Sequence, residues 1–176
     1  MIRYCVTDRR RGDVLACAAK AIRNAVDMIQ IREKDLPSRD LVDLVSTIRD
    51  MAAGTKTRIL VNDRLDVALA AGIHGLHLPG SGLPPERVRR FVELLGVSIH
   101  SLDEGLDAER AGADFVVFGP VFDSPGKKAV GLEPLRKISN ALRIPVLAIG
   151  GITLANSNEV LNAGAAGIAG IRLFQV

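Results

Sequence analysis

The chain has 176 residues, 48% of them apolar, which suits one domain (residues 1–176) with a substantial core. A net charge of +3, 3% aromatic residues and no Trp argue against a nucleic-acid-binding surface. Two cysteines exclude a disulfide framework, and no run approaches the roughly 18 apolar residues of a membrane span, so the sequence reads as a soluble cytoplasmic protein.

Short β-rich runs alternate with helix-like segments along the whole chain. The run Arg3–Thr7 precedes a helical stretch at Asp13–Val26, and Met28–Arg32 precedes Ser38–Ala53, with Ser38 expected as the N-cap. Arg58–Val61 leads to Leu65–Ala71. Gly75–Leu78 leads to Pro85–Leu95, opened by Pro84-Pro85. Then come Gly96–His100 with Leu102–Ala111, Phe115–Phe118 with Leu132–Leu142, and Pro145–Ile149 with Leu154–Ala163; Gly167–Ile171 closes the series. Ala71-Gly72, Ala111-Gly112 and Ala163-Gly164 repeat one device, in which a glycine takes the left-handed position that stops a helix before the next strand.

Regular alternation implies parallel strands covered by helices, and eight near-equal units favour a closed TIM (β/α)₈ barrel over an open doubly wound sheet. Such barrels usually need about 250 residues, so this one is compact. The chain ends soon after the eighth run. The last helix is therefore expected to be missing, leaving a flank bearing Ile168 and Leu173 for a second subunit to cover, as in a homo-oligomer. Cys5 reads as a small core residue, and Cys17 has no recognisable partner.

In this fold the strand C-termini carry the chemistry. Gln30, Arg32 and Lys34 alternate at the end of the second strand and would point the same way; two cations there call for an anion, or for pairing with Glu33 and Asp35 at a solvated strand end. Asn62-Asp63-Arg64 ends the third strand, where Asp63 either holds Mg²⁺ against a pyrophosphate or caps the next helix. Ser98 and His100 both reach the mouth, whereas His77 reads as a satisfied histidine rather than a metal ligand. Lys127 and Lys128 sit in a long loop that either reaches over phosphates or is a flexible surface segment. Gly150-Gly151 ends the seventh strand, a common phosphate cradle, with backbone N–H groups and a following helix N-terminus.

Together Gln30-Ile31-Arg32-Glu33-Lys34, Val61-Asn62-Asp63-Arg64, Gly96-Val97-Ser98-Ile99-His100-Ser101, Phe118-Gly119-Pro120-Val121-Phe122 and Ala148-Ile149-Gly150-Gly151-Ile152 resemble the thiamine phosphate synthase/TenI superfamily, over nearly the whole chain. The resemblance implies an enzyme of thiamine biosynthesis, a transferase that couples hydroxymethylpyrimidine pyrophosphate to thiazole phosphate and expels Mg-bound pyrophosphate. It implies that Gln30 holds the pyrimidine, that Arg32, Lys34, Asn62 and Lys127 bind pyrophosphate, and that Asp63 binds Mg²⁺. Ser98 would line the site, Ser124 matches a hydroxyl position, and Gly151, with Gly150 beside it, matches the thiazole-phosphate cradle. Three positions depart from the pattern: Gly82 replaces a second Mg²⁺ carboxylate, Gly126 a hydroxyl, and Arg172 a phosphate-binding serine. Arg172 can still bind phosphate bidentately. The TenI branch, whose thiazole tautomerases need no metal, is the alternative; Pro120 stands where that branch carries a histidine, and His100 would substitute by position. A non-catalytic binder of phosphorylated ligands is the third reading. The set Gln30, Arg32, Lys34, Asn62, Asp63 and Lys127 favours the synthase.

Overall fold

The computed structural model describes residues 1–175. Eight parallel strands close into a barrel in chain order: β1 Ile2–Val6, β2 Met28–Ile31, β3 Arg58–Asn62, β4 Gly75–Leu78, β5 Leu94–Ile99, β6 Phe115–Phe118, β7 Val146–Ala148 and β8 Gly167–Gly170. The ring is completed by β8 against β1, with Tyr4 opposite Ala169. Helices follow the strands: α1 Val14–Arg23, α2 Ser38–Ala52, α3 Leu65–Ala70, α4 Pro85–Val88, α5 Leu102–Arg110, α6 Leu132–Ala141, α7 Ser157–Asn162 and α8 Arg172–Gln175. The expected barrel is thus the observed one.

Period-two alternation divides the strand residues into two cores. Inward residues Tyr4, Met28, Leu60, Leu94, Phe115, Val117, Leu147 and Ala169 fill the barrel interior. Their neighbours, such as Ile29, Val61, Leu76, Leu95 and Val116, face outward and meet Val45, Ile48, Leu135 and Val160 of the helices. Gly96 also belongs to the inner face: a Cβ there would sit 2.3 Å from the Phe115 ring. The repeated helix stop is real. Gly72, Gly112 and Gly164 have φ of 65°, 88° and 96°, and the residue after each donates its N–H back five positions, to Ala68, Ala108 and Val160.

Four expectations need correcting. The eighth helix is present as a single turn, α8, which packs against α1 and β1. Ile168 is only 2% exposed, and Leu173 and Phe174 lie half-buried on the core, so the flank is covered from within and no longer calls for a second subunit. Ser38 is the first residue of α2, not its cap; Pro37 holds that position, and the Ser38 hydroxyl accepts from Arg64 Nη2 at 2.8 Å. The fourth helix is one turn of α plus a 3₁₀ turn at Arg89–Phe91, because Glu93 and Leu94 donate to the His74 carbonyl and draw the chain into β5 early. Lastly, Cys17 has a partner: its sulfur lies 3.9 Å from that of Cys5, both buried and reduced. No helix among the described residues is long and apolar enough to cross a membrane.

Candidate functional site

Towards the C-terminal end of the barrel, inward polar residues of β1, β2, β4 and β5 join into one hydrogen-bonded chain. Gln30 Nε2 donates to the Tyr4 hydroxyl at 2.9 Å; that hydroxyl lies 3.2 Å from His77 Nδ1, and His77 Nε2 lies 2.8 Å from Ser98 Oγ. Gln30, Tyr4 and His77 are buried, while Ser98 is partly open. Burial, and then the nearby charge of Arg32, push the His77 pKa down to about 3, so the ring is neutral. Burial likewise raises the Tyr4 phenol above its ordinary range. His77 is indeed satisfied, at both ring nitrogens.

The β2 rim is organised by its acids. Glu33 accepts from Thr7 Oγ1 and, at 2.8 Å, from the Arg9 amide; Asp35 takes Arg9 through two hydrogen bonds of 2.8 and 3.2 Å. The Arg32 amide donates to Thr7 Oγ1 at 3.0 Å. Glu33 and Asp35 therefore do not pair with Arg32 and Lys34, whose side chains make no ion pair among the described residues. Lys34 does not continue the alternation of Gln30 and Arg32, however. After Ile31 the chain bends into a turn closed by the Leu36 amide on the Glu33 carbonyl, so alternation stops. Arg32 is half-buried. Lys34 is exposed and lines a rim cleft of about 220 Å³ with Glu33, Leu41, Asn62, Asp63 and Arg64.

Asn62 is buried at the end of β3, opposite His77 in register. Asp63 follows in the left-handed region at φ 61°, its amide held by the His77 carbonyl at 2.9 Å. It does not cap α3, since Arg64 occupies that position. Its carboxylate is exposed and makes no hydrogen bond or ion pair among the described residues. Gly82 adjoins it: a Cβ at Gly82 would lie 2.9 Å from Asp63 Oδ1.

The loop after β6 is built, not slack. Ser124 and Lys127 exchange backbone hydrogen bonds around Pro125-Gly126, and Gly126 at φ 74° suits the third position of a type II turn. The Asp123 carboxylate takes the Ala129 amide, and the Val130 and Gly131 amides return to the carbonyls of Pro120 and Val121. This loop packs on Gly150-Gly151. A Cβ on Gly150 would meet Pro120 at 2.3 Å, and one on Gly151 the Asp123 carbonyl at 2.5 Å. Neither glycine's N–H finds an acceptor among the described residues. The helix expected from Leu154 begins only at Ser157, because Thr153 and Asn156 cap one another in a turn. Ser124 is half-buried, and Lys127 is exposed at the turn. Arg172 is exposed at the start of α8, just beyond β8, the strand paired with β7.

Two elements of the site escaped sequence reasoning. Tyr4 is the chain's one tyrosine, and its inward position in β1 was the available signal. Thr7 with Glu33 forms the brace under Arg32; Thr7-Asp8 after an apolar run was its only trace.

Fold and site together define a (β/α)₈ barrel with a cationic rim and a buried polar chain beneath its mouth. The sequence matches the family described as thiamine monophosphate synthase over residues 3–174. It is 40% identical to the thiamine-phosphate synthase of Pyrococcus horikoshii over 94% of this chain and 83% of that one, and 39% identical to that of Roseiflexus sp. (strain RS-1) over 94% and 75%. The solved thiamine phosphate pyrophosphorylase from Pyrococcus furiosus superposes with a TM-score of 0.89 at 37% identity, covering 97% of this chain and 85% of that one. The 3-hexulose-6-phosphate synthase structure, at 18% identity and TM-score 0.72, shares the fold alone. The chain belongs to the thiamine monophosphate synthase family.

Proposed function

We propose that this protein couples hydroxymethylpyrimidine pyrophosphate to thiazole phosphate, forming thiamine phosphate and releasing pyrophosphate. The C–O bond to pyrophosphate breaks, the thiazole nitrogen gives its electron pair to the exposed methylene carbon, and the leaving group carries away the negative charge. Charge that grows on the leaving group favours fixed cations that need no rearrangement. The observation that carries this reading is that Arg32 and Lys34 stand at the rim without acid partners, because Thr7 and Arg9 occupy Glu33 and Asp35.

In this reading Arg32, Lys34, Asn62 and Lys127 take the pyrophosphate, Gln30 and Ser98 the pyrimidine. Gly150, Gly151, Ser124 and Arg172 take the thiazole phosphate. Both substrates are phosphorylated small molecules, which fits a cytoplasmic enzyme. Asp63 fits a magnesium ligand: its carboxylate is exposed and makes no hydrogen bond or ion pair among the described residues, beside the cationic rim, and Mg²⁺ is commonly held by one or two carboxylates together with substrate phosphates. The described residues hold no cluster of three or more acids, histidines or cysteines, so Asp63 would share the ion with waters and substrate. Bound there, Mg²⁺ supplies charge neutralisation to the pyrophosphate.

One observation favours the tautomerase. His100 Nδ1 lies 3.2 Å from the Gly119 carbonyl, so it carries the proton, and Nε2 is left as a base at the mouth. Assays with each substrate set, with and without Mg²⁺, separate the readings. Thiamine phosphate formed only with Mg²⁺ supports the synthase. Metal-free isomerisation of the thiazole carboxylate phosphate, with no thiamine phosphate, overturns it. Binding without turnover of either set leaves a phosphate-ligand binder.

A further inference from the structure

One proton inside the barrel decides how a hydroxyl at the mouth is presented. Tyr4 is fully buried, so its phenol proton requires an acceptor within the protein. Gln30 Nε2 already donates to the phenol oxygen and cannot take that proton. Among the described residues, the other polar partner of the phenol is His77 Nδ1, at 3.2 Å. The phenol proton therefore goes to Nδ1, which has to be bare to receive it. A neutral imidazole with a bare Nδ1 carries its hydrogen on Nε2, and Nε2 lies 2.8 Å from Ser98 Oγ. The opposite tautomer would aim a second donor at the phenol and leave the phenol's own proton buried without an acceptor. A doubly protonated ring would fail in the same way.

We infer that His77 is a positioning residue: Tyr4 locks it as the Nε2–H tautomer, and it thereby makes Ser98 a one-way hydrogen-bond donor to a lone pair of the ligand in the barrel mouth. Ser98 accepts from the ring on its inner side, so its own proton is free only outward. Gln30 completes the pattern. One of its two Nε2 hydrogens goes to Tyr4, which fixes the orientation of the amide and leaves its carbonyl oxygen available as an acceptor. Ser98 as donor and the Gln30 carbonyl as acceptor then both take their polarity from Tyr4, which acts on Ser98 through His77, 73 residues away in the chain. The inference rests on the synthase reading only for the identity of the ligand, not for the tautomer.

The tautomer is read directly in the ligand-free protein by a two-bond ¹H–¹⁵N spectrum, which distinguishes a protonated ring nitrogen from a bare one. Nε2–H is expected in the wild type, and loss of that single form in Tyr4→Phe. A wild-type ring protonated at Nδ1, as an inverted Gln30 amide would require, overturns the inference whatever the enzyme does. Kinetics then test the action through Ser98. His77→Gln keeps a donor near the Nε2 position and His77→Asn does not, so Asn should raise KM for the pyrimidine substrate about three- to ten-fold and Gln far less, the range of one net hydrogen bond. In a Ser98→Ala background the two variants should be equivalent. If they still differ there as much as in the wild type, His77 acts on stability rather than through Ser98 and the inference fails. Absence of synthase activity in the wild type would instead sink the proposed reaction, with the tautomer still deciding the inference.

Discussion

Asp63 offers the sharpest test, because its two attributes pull in opposite directions. It sits at φ 61° without a glycine's freedom, and its exposed side chain makes no hydrogen bond or ion pair among the described residues, only a coulombic attraction to Arg64. The left-handed conformation costs a residue with a Cβ roughly 1–2 kcal/mol, toward the low end for Asp. Replacement by Gly removes that cost but returns about 0.5–1 kcal/mol through the freer unfolded chain. Asp63→Gly should therefore be more stable by about 0.5 kcal/mol, and at most about 1, raising Tm by about 1–4 °C for a chain of this size. The amide bond to the His77 carbonyl survives the change. Mg²⁺-dependent synthesis should fall to background. Asp63→Asn is the control: it tolerates the same backbone, so stability should stay within about 0.5 kcal/mol while activity falls equally. Urea denaturation followed by circular dichroism, with a thiamine phosphate assay on the same samples, reads both quantities. A destabilised Asp63→Gly would refute the claim that strain is held here for function, and an active one would remove Asp63 from the metal site.

His77 should make the fold acid-labile. Its folded pKa is depressed to about 3, so the unfolded chain takes up a proton near the ordinary pKa of about 6.5 while the native state does not. Stability must then fall as pH drops from about 6.5 toward 3, by about 2 kcal/mol between pH 7 and pH 5; urea midpoints of the wild type and His77→Gln at those two pH values should diverge by that amount, and parallel loss would contradict the burial. Gly150→Ala combines a left-handed φ of 97° with a Cβ 2.3 Å from Pro120, so a loss of about 2–4 kcal/mol is expected in the same assay. Arg32→Lys should weaken pyrophosphate binding in calorimetry although charge is kept, because a point ammonium cannot replace a bidentate fork; unchanged affinity would place the pyrophosphate elsewhere. Gly82→Asp brings a second carboxylate beside Asp63 and should lower the Mg²⁺ concentration for half-maximal synthesis, at some cost in stability from its crowding against Pro79.

Local signals carried far in this chain, and failed where partners are distant. Strand runs and the three glycine stops were readable because alternation and left-handed caps are written within a few residues. The end of α4 was not, since the His74 carbonyl, just ahead of the adjacent strand β4, claims Glu93 and Leu94. Arg32 and Lys34 were visible as unbalanced charge, but the fate of Glu33 depends on Thr7, 26 residues away, and Lys34 left the inner face because a turn interrupts the strand. Ser38 looked like a cap by type; Pro37 already held that place, leaving the hydroxyl to Arg64. The packing of Leu173 and Phe174 on the core was hidden because one helical turn is too short to show a period.

The meeting of Gly96 with the Phe115 ring has a consequence for how such barrels diverge. The two positions face each other in register across β5 and β6, and the ring occupies the volume that any side chain at 96 would need. Tyr4 then rests edge-on against that ring, 5.5 Å between centres. Mutational paths through these positions should therefore be ordered: Phe115 has to shrink to an aliphatic residue before Gly96 can gain a methyl group, and the intermediate with neither carries a void beneath the active site. Sequences related to this one are expected to hold either the glycine with the ring, or a larger residue at 96 with a smaller one at 115, and rarely anything between.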